Sequence, residues 1–248
     1  ALWNHEPTKE VYAELRRNSL SVNSSETERL SKAASDHQAV LVIGVNERVD
    51  EGPGNGTLYN SLITFNSDGS LINHHRKLIP TYTKRLVWGQ GDGNGLKAVD
   101  TSVGRVGGLI CWEHWMPLAR QVLHDSGEHI HIAVWPTVHE MHQIASRHYA
   151  FEGRCFVLAA GLLMKVRDLP NQLAVAAELS DKPDHLLLRG GSAIIGPDGG
   201  YIVKPVLDEE SIIVAELDVT AIDKERMTLD VSGHYQRADL FDLKVRSP

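Results

Sequence analysis

The chain has 248 residues, of which 42% are hydrophobic, and a formal net charge of −7. This length and apolar content suffice for a sizeable core, whereas the acidic balance and the lack of a basic run exclude binding driven by nucleic-acid phosphates. The apolar stretches are far shorter than the ~20 residues of a transmembrane helix. Residues 1–7 lack the basic segment followed by an apolar segment that is typical of a signal peptide. Two cysteines, Cys111 and Cys155, exclude a disulfide framework, so we expect a reducing, cytoplasmic location.

The first third of the chain is predicted to contain two helices, a buried strand and a hairpin. Apolar spacing predicts helices over residues 8–20 and 26–34, and the continuous apolar run 39–45 predicts a strand covered on both faces. Residues 58–65 and 70–75 flank an Asn-Ser-Asp-Gly turn, which predicts two paired strands.

The rest of the chain alternates strands with helices. Apolar, branched stretches predict further strands over residues 104–110, 130–134, 156–163, 191–195 and 201–206. Helices are predicted over residues 113–124 and 144–154, and a long loop over residues 171–185. Alternating strands and helices with added hairpins predict an α/β fold with mixed sheets. Because no linker divides the chain, we expect residues 1–248 to form a single domain.

Cys111 is the strongest candidate for a catalytic side chain. It follows the predicted strand 104–110, where the chain turns into a predicted helix. A thiol there is expected to face backbone N–H groups and the positive helix end, both of which favour the thiolate. A buried structural cysteine is the alternative, and it suits Cys155, which enters an apolar strand.

Lys77 is a second candidate, because it directly follows the second strand of the first hairpin. Pro80 restricts the exit of the chain three residues later. A lysine held in this way can be aimed into a cleft, where its ammonium stabilises developing negative charge. A solvated surface lysine is the alternative interpretation.

No cofactor and no metal are expected. Among the thirteen histidines, His139 and His142 are three residues apart, whereas the zinc motif H-E-x-x-H needs a spacing of four. The glycine-rich segment 89–95 lacks the Lys-Ser/Thr that completes a phosphate-binding loop.

Several segments, in this order, resemble the nitrilase branch of the carbon-nitrogen hydrolase superfamily. They are HRKLIPT (75–81), RLVWGQGDG (85–93), GGLICWEH (107–114) with PLAR (117–120), EGRC (152–155) and RGGSAIIGPDG (189–199). The resemblance implies a four-layer αββα sandwich and a Glu-Lys-Cys active site, with Cys111 as nucleophile and Lys77 as its cationic partner. It also implies a small-molecule nitrile as substrate, a carboxylic acid and ammonia as products, and a homo-oligomer that is at least a dimer.

The sequence departs from the family pattern at two positions. The general-base glutamate of the family lies in a Pro-Glu-aromatic motif on an early strand, and this sequence has no such motif. We therefore expect that the family's N-terminal strand and helix are missing from the sequence. Lys84 stands where nitrilases usually carry a second active-site glutamate, and its charge would favour a thiolate rather than activate water.

Substrate contacts are predicted for Trp112, His114, Trp135 and Thr137, which follow strand ends at or beside the nucleophile. His114 stands where asparagine is common, and it resembles the arylacetonitrile-hydrolysing and cyanide-hydrolysing members. Core packing is the alternative role for the two tryptophans and Thr137. Two other functions remain open: an amidase of the same superfamily, and a catalytically silent relative that forms oligomers. A third hypothesis, a metal-dependent hydrolase, predicts inhibition by chelators and a stoichiometric metal, and we expect neither.

Overall fold

In the computed structural model, which describes residues 5–170 and 177–246, the smaller of two β-sheets has three antiparallel strands. They are β1 (Leu41–Arg48), β2 (Leu58–Phe65) and β3 (Leu71–Arg76), with β2 in the centre. Two helices precede this sheet, α1 (Glu6–Arg17) and α2 (Ser25–Asp36). Ala34 of α2 packs in one apolar cluster with Ile63 and Phe65 of β2, so α2 covers the outer face of the sheet.

The larger sheet has seven strands. They are β4 (Val99–Thr101), β5 (Gly104–Ile110), β6 (Ile130–Trp135), β7 (Phe156–Gly161), β8 (Leu163–Lys165), β9 (Leu186–Ile195) and β10 (Tyr201–Leu207). Their spatial order is β10-β9-β7-β6-β5-β4, and β8 pairs with β9. The strands β5, β6 and β7 are parallel to each other, and the other pairs are antiparallel. The sheet is therefore mixed, as predicted.

Helices α3 (Pro117–Asp125) and α4 (Glu140–Gly153) cover the outer face of the larger sheet. Leu123 of α3 and Ala150 of α4 share one apolar core with Leu109 of β5. The inner faces of the two sheets meet at Gly108, where an added Cβ would lie 2.6 Å from Leu62 Cδ2. The layers therefore run helix, sheet, sheet, helix, and the predicted α/β sandwich is confirmed.

The structure changes some predicted elements. Pro117 begins α3 after Met116 adopts an extended conformation, so a short 3-10 turn over Cys111–Trp115 replaces the start of the predicted helix. Strands β4 and β8 and helix α5 (Thr220–Arg226) were not predicted. The predicted loop 171–185 lies partly outside the described residues. Within the described part of the chain, no helix is both long and apolar enough to cross a membrane.

Candidate active site

Cys111 and Lys77 line one pocket of about 300 Å³ between the two sheets. Asn46 of β1 and Asn60 of β2, which lie opposite each other, contribute to its lining from the smaller sheet. Trp135, at the end of β6, contributes from the larger sheet. The sequence-predicted nucleophile and cation are therefore brought together from segments that are distant in the chain.

Cys111 occupies the point where β5 ends and the 3-10 turn begins. Its side chain is buried and its φ is +58°, in the left-handed region. A non-glycine residue in this conformation costs on the order of 1–3 kcal/mol, and such strain is often found at functional sites. The expected helix dipole is absent at the thiol, because the first α-helix after Cys111 begins six residues later, at Pro117.

Lys77 directly follows β3, and its side chain is only 2% exposed. The ammonium Nζ donates a hydrogen bond to Thr81 Oγ1 at 3.0 Å. Burial lowers the pKa of Lys77, and the positive charge of Lys84 lowers it further, whereas electrostatic interactions with Cys111 and Glu113 oppose the shift. The hydrogen bond holds the side chain of Lys77 in place. The neighbouring groups offset only part of the effect of burial on its pKa.

Glu113, which the sequence reasoning did not single out, connects the two catalytic segments. One carboxylate oxygen accepts the backbone N–H of Ile110 at 2.7 Å, and the other accepts that of Leu78 at 2.8 Å. His75 Nε2 lies 3.1 Å from both oxygens. Burial would raise the pKa of Glu113, but these hydrogen bonds and the charge of His75 lower it. An ionised carboxylate therefore fixes the residue before Cys111 to the residue after Lys77.

Lys84 supplies a second ammonium to the pocket. It lies on an exposed 3-10 turn over Tyr82–Leu86 and contributes to the lining beside Lys77 and Cys111. Of the described residues that line this pocket, none is a carboxylate. The pocket therefore favours negative charge on whatever it binds.

Glu47 of β1 is buried beside the pocket but does not contribute to its lining. Its carboxylate accepts hydrogen bonds from Ser61 Oγ at 2.5 Å, His74 Nε2 at 2.8 Å and Arg76 Nε at 3.0 Å. Burial would raise its pKa, yet these three partners lower it to about 2. A carboxylate with so low a pKa and so many donors is a poor general base at neutral pH.

Among the predicted substrate contacts, Trp135 lines the pocket, and its indole N–H donates to Ser146 Oγ at 3.2 Å. Trp112 is 57% exposed and lies outside the lining. His114 is buried against Trp135, with ring centroids 4.5 Å apart. Thr137 is buried as well, and its hydroxyl accepts the backbone N–H of Arg189 at 3.2 Å. The roles of these four residues in substrate binding stay predictions.

No group of three or more His, Cys, Asp or Glu side chains with the arrangement of a metal site occurs among residues 5–170 and 177–246. The predicted pair His139 and His142 lies at the start of α4, where His142 Nδ1 accepts the backbone N–H of His139 at 3.1 Å. This nitrogen therefore caps the helix in the structure.

A sequence profile of the carbon-nitrogen hydrolase family matches residues 4–226. The chain belongs to this family and is a hydrolase that acts on carbon-nitrogen bonds. It is 40% identical to an aliphatic nitrilase of Sinorhizobium fredii (strain HH103) over 239 residues, and this aligned region covers 96% of this chain and 74% of that protein. It is 36% identical over 231 residues to an arylacetonitrilase of Trametes versicolor (strain FP-101664), covering 89% and 71%. These similarities place the chain in the nitrilase branch.

The fold is also that of a solved carbon-nitrogen hydrolase from Helicobacter pylori G27. The two structures superimpose with a TM-score of 0.72 over 93% of this chain and 78% of the other. Their sequences are 21% identical, so this likeness concerns the fold alone.

Proposed function

We propose that the protein is a nitrilase that converts a small-molecule nitrile into a carboxylic acid and ammonia through a covalent intermediate on Cys111. The observation that carries the proposal is the pocket that Cys111 and Lys77 both line. The names of the two relatives, an aliphatic nitrilase and an arylacetonitrilase, support a nitrile as the substrate class.

The first step forms a bond between the sulfur of Cys111 and the nitrile carbon. One bond of the C≡N triple bond breaks, and its electron pair moves to nitrogen. Lys77 stabilises this negative charge, and the backbone N–H of Trp112, one residue after the nucleophile, is a second donor. Proton transfer to nitrogen then yields a neutral thioimidate.

Two waters complete the reaction. The first adds to the thioimidate carbon, and ammonia leaves after nitrogen has gained the protons it needs, so that a thioester remains. The second water breaks the carbon-sulfur bond and releases the carboxylic acid and the thiol. Each water must give a proton to a base. The family resemblance implies a glutamate for this role, and we assign the base to no described residue.

Two other functions are kept as alternatives. An amidase of the same superfamily would reach the same thioester from an amide, so parallel assays with a nitrile and its amide distinguish the two. A catalytically silent relative that forms oligomers is favoured by Lys84, because a second ammonium in the pocket helps the nucleophile but not the waters. Such a protein would form an adduct on Cys111 without releasing product.

The test compares Cys111→Ala with Cys155→Ala in the protein expressed from its complete coding sequence. Ammonia release from a panel of aliphatic and aromatic nitriles is the measurement. We expect Cys111→Ala to lose at least about a thousandfold in kcat, because the nucleophile is gone. Cys155 is fully buried and does not line the pocket, so its variant controls for the loss of a buried thiol. Undiminished turnover by Cys111→Ala would refute the proposal.

We also propose that the protein is cytoplasmic and at least a homodimer. Two free cysteines support a reducing compartment. Leu118 of α3 is exposed together with Trp115 just before the helix, and exposed apolar side chains of this kind favour association between copies. Light scattering that reports a mass of 27.4 kDa, the mass of one chain, would contradict the dimer.

A further inference from the structure

Four polar side chains outside the pocket lining form a continuous row of hydrogen bonds that ends at the nucleophile. His114 Nδ1 lies 2.7 Å from the carbonyl oxygen of Cys111, and His114 Nε2 lies 3.0 Å from His131 Nε2. His131 Nδ1 lies 3.0 Å from Glu128 Oε2, and the Tyr149 hydroxyl donates to Glu128 Oε1. All four side chains are buried. We call His114, His131, Glu128 and Tyr149 the rear network.

The direction of proton donation in the rear network follows from its first member. A carbonyl oxygen only accepts, so the Nδ1 of His114 must carry the proton that points at Cys111. A neutral imidazole has one N–H, which leaves the Nε2 of His114 as an acceptor. His131 must then donate from its own Nε2, and its Nδ1 becomes the acceptor that faces Glu128.

Glu128 is the last residue of the rear network whose donor and acceptor atoms have to be assigned. Its Oε2 faces an acceptor nitrogen at 3.0 Å, and its Oε1 receives the hydroxyl proton of Tyr149. A protonated carboxyl group fits both contacts, because its O–H donates while its other oxygen accepts. We propose that Glu128 is a neutral carboxylic acid and a positioning residue, which holds the Cys111 backbone in its catalytic conformation through His131 and His114.

The surroundings of Glu128 support a neutral acid. Burial raises the pKa of Glu128 to about 7, against the charge of His124 and the hydrogen bond from Tyr149. Burial likewise lowers the pKa of His114 to about 3 and that of His131 well below its usual value. A neutral row therefore has the lowest cost of burial, whereas an ion pair of Glu128 with His131 would place two charges in the interior.

The titratable groups that interact with Glu128 come from four segments. His131 lies on β6, Tyr149 on α4, His124 on α3, and Cys155 just before β7. His124 Nδ1 lies 3.8 Å from Glu128 Oε1, which is beyond hydrogen-bonding distance, and its Nε2 lies 3.2 Å from Glu152 instead. On the side of β5 the neighbour is Gly107, where an added Cβ would lie 2.2 Å from Glu128 Oε2. The glycine therefore leaves the space that the carboxyl group occupies.

The rear network has a mechanical consequence for Cys111. The nucleophile has a left-handed backbone conformation, which persists only when the surroundings hold it. The bond from His114 to the Cys111 carbonyl is one such restraint, and the proton on Glu128 keeps this bond in the correct direction. When Glu128 loses its proton, the hydrogen bonds from Glu128 to the Cys111 carbonyl have one proton too few. One pair of facing acceptor atoms in the rear network is then left without a hydrogen between them.

A pH dependence follows from the raised pKa. A carboxyl group whose pKa is higher in the folded protein than in the unfolded chain stabilises the fold. This stabilisation is complete when the pH is below the unfolded pKa, and it is lost as the pH rises through the folded pKa. For Glu128 this loss lies between pH 4.5 and about 7. Glu128→Gln has no such proton, so the difference in stability between this variant and the wild type should change over the same pH range and be constant outside it.

The inference depends on the proposed function only in taking Cys111 as the nucleophile, and the experiment measures Glu128 separately. In wild-type protein labelled with 13C-glutamate, the carboxyl carbon of Glu128 is followed by NMR from pH 4 to 8, with Glu128→Gln used for assignment. We expect this carboxyl to titrate above the unfolded value of 4.5. Titration at or below that value would overturn the proposal whether or not the protein hydrolyses nitriles.

Two variants test the positioning role. Glu128→Gln keeps a donor for His131 and an acceptor for Tyr149, whereas Glu128→Leu has neither. We expect Glu128→Leu to lower kcat and the rate of Cys111 alkylation by iodoacetamide by about tenfold, with little change in KM. Glu128→Gln should stay within about threefold of the wild type in both rates, because it preserves the direction of the row. Equal losses in the two variants would overturn the proposal. The alkylation rate needs no nitrile, so it distinguishes this failure from failure of the proposed function.

Discussion

Two groups of titratable side chains support the segment around Cys111, and they differ in charge. One is the group of Glu113, His75 and Lys77, and the other is the rear network. The contrast is clearest in two carboxyl groups, Glu113 and Glu128, which are each 1% exposed. Glu113 has a lowered pKa, whereas burial raises the pKa of Glu128 to about 7. The same side chain at the same depth is thus ionised at neutral pH in one place, whereas in the other its neutral form is favoured up to a pH of about 7.

Hydrogen-bond donors explain this difference. Glu113 accepts two backbone N–H groups and faces His75, so its ionised form has partners. Glu128 receives one donor, Tyr149, and faces a nitrogen that needs a proton. Burial by itself therefore does not set the charge of a carboxyl group, because the number of donors around it decides. The ammonium groups of Lys77 and Lys84 line the pocket in which the reaction would develop charge, and the rear network supports the nucleophile without adding a charge.

The largest effect is expected when Glu113 is made neutral. Glu113→Gln replaces an acceptor oxygen with an N–H group, which must point at a backbone N–H or at His75. We expect the free energy of unfolding to fall by about 3–5 kcal/mol, the usual cost of breaking a buried charged contact. Urea denaturation at pH 7 measures the change.

Glu128→Gln is the matched control, because it is the same substitution at the same burial. It should change the free energy of unfolding by less than about 1 kcal/mol or raise it, since the amide reproduces the neutral acid. Equal destabilisation of the two variants would break the contrast between the two carboxyl groups.

A smaller effect is expected from the cations of the pocket. Lys77→Met removes the buried ammonium beside Cys111 and should lower kcat by about 10²–10³, the typical effect of removing a group that stabilises developing charge. Lys84→Met, on the exposed turn, should cost less than about tenfold because its charge is screened by solvent. Steady-state kinetics on both variants measure the two losses, and a larger loss for Lys84→Met would contradict the role given to Lys77.

Lys84→Met also has a pH signature. Lys84 lowers the pKa of Lys77, so its removal should raise that pKa. Any decrease in rate caused by deprotonation of Lys77 would then move to higher pH. An unchanged pH profile would show that the two ammonium groups do not interact during turnover.

The family resemblance predicted the four layers of the fold and an active site that contains both Cys111 and Lys77. Continuous apolar runs and an Asp-Gly turn are local signals, and they identified β1, β2 and β3 within a few residues. The start of α3 was missed because Cys111 to Trp115 form a 3-10 turn, and Pro117 begins the helix. A proline just before an apolar helical pattern was the available signal.

The supporting groups of the site could not be predicted from the sequence. Glu113 acts by joining the ends of β3 and β5, and that proximity exists only in the folded chain. The same holds for Glu128 and His131, because hydrogen-bond counting requires distances. The exposure of Trp112 also could not be predicted from the sequence, because its neighbours in the chain are buried while its own side chain is exposed.

The most direct test of the account is to look for the covalent intermediate. The protein expressed from its complete coding sequence is mixed with a nitrile, quenched in acid, digested and examined by mass spectrometry. We expect a mass increase of one thioimidate or acyl group on the peptide that contains Cys111, and none on the peptide that contains Cys155. Ammonia release without any adduct on Cys111, under conditions in which the adduct of a known nitrilase is recovered, would contradict the account.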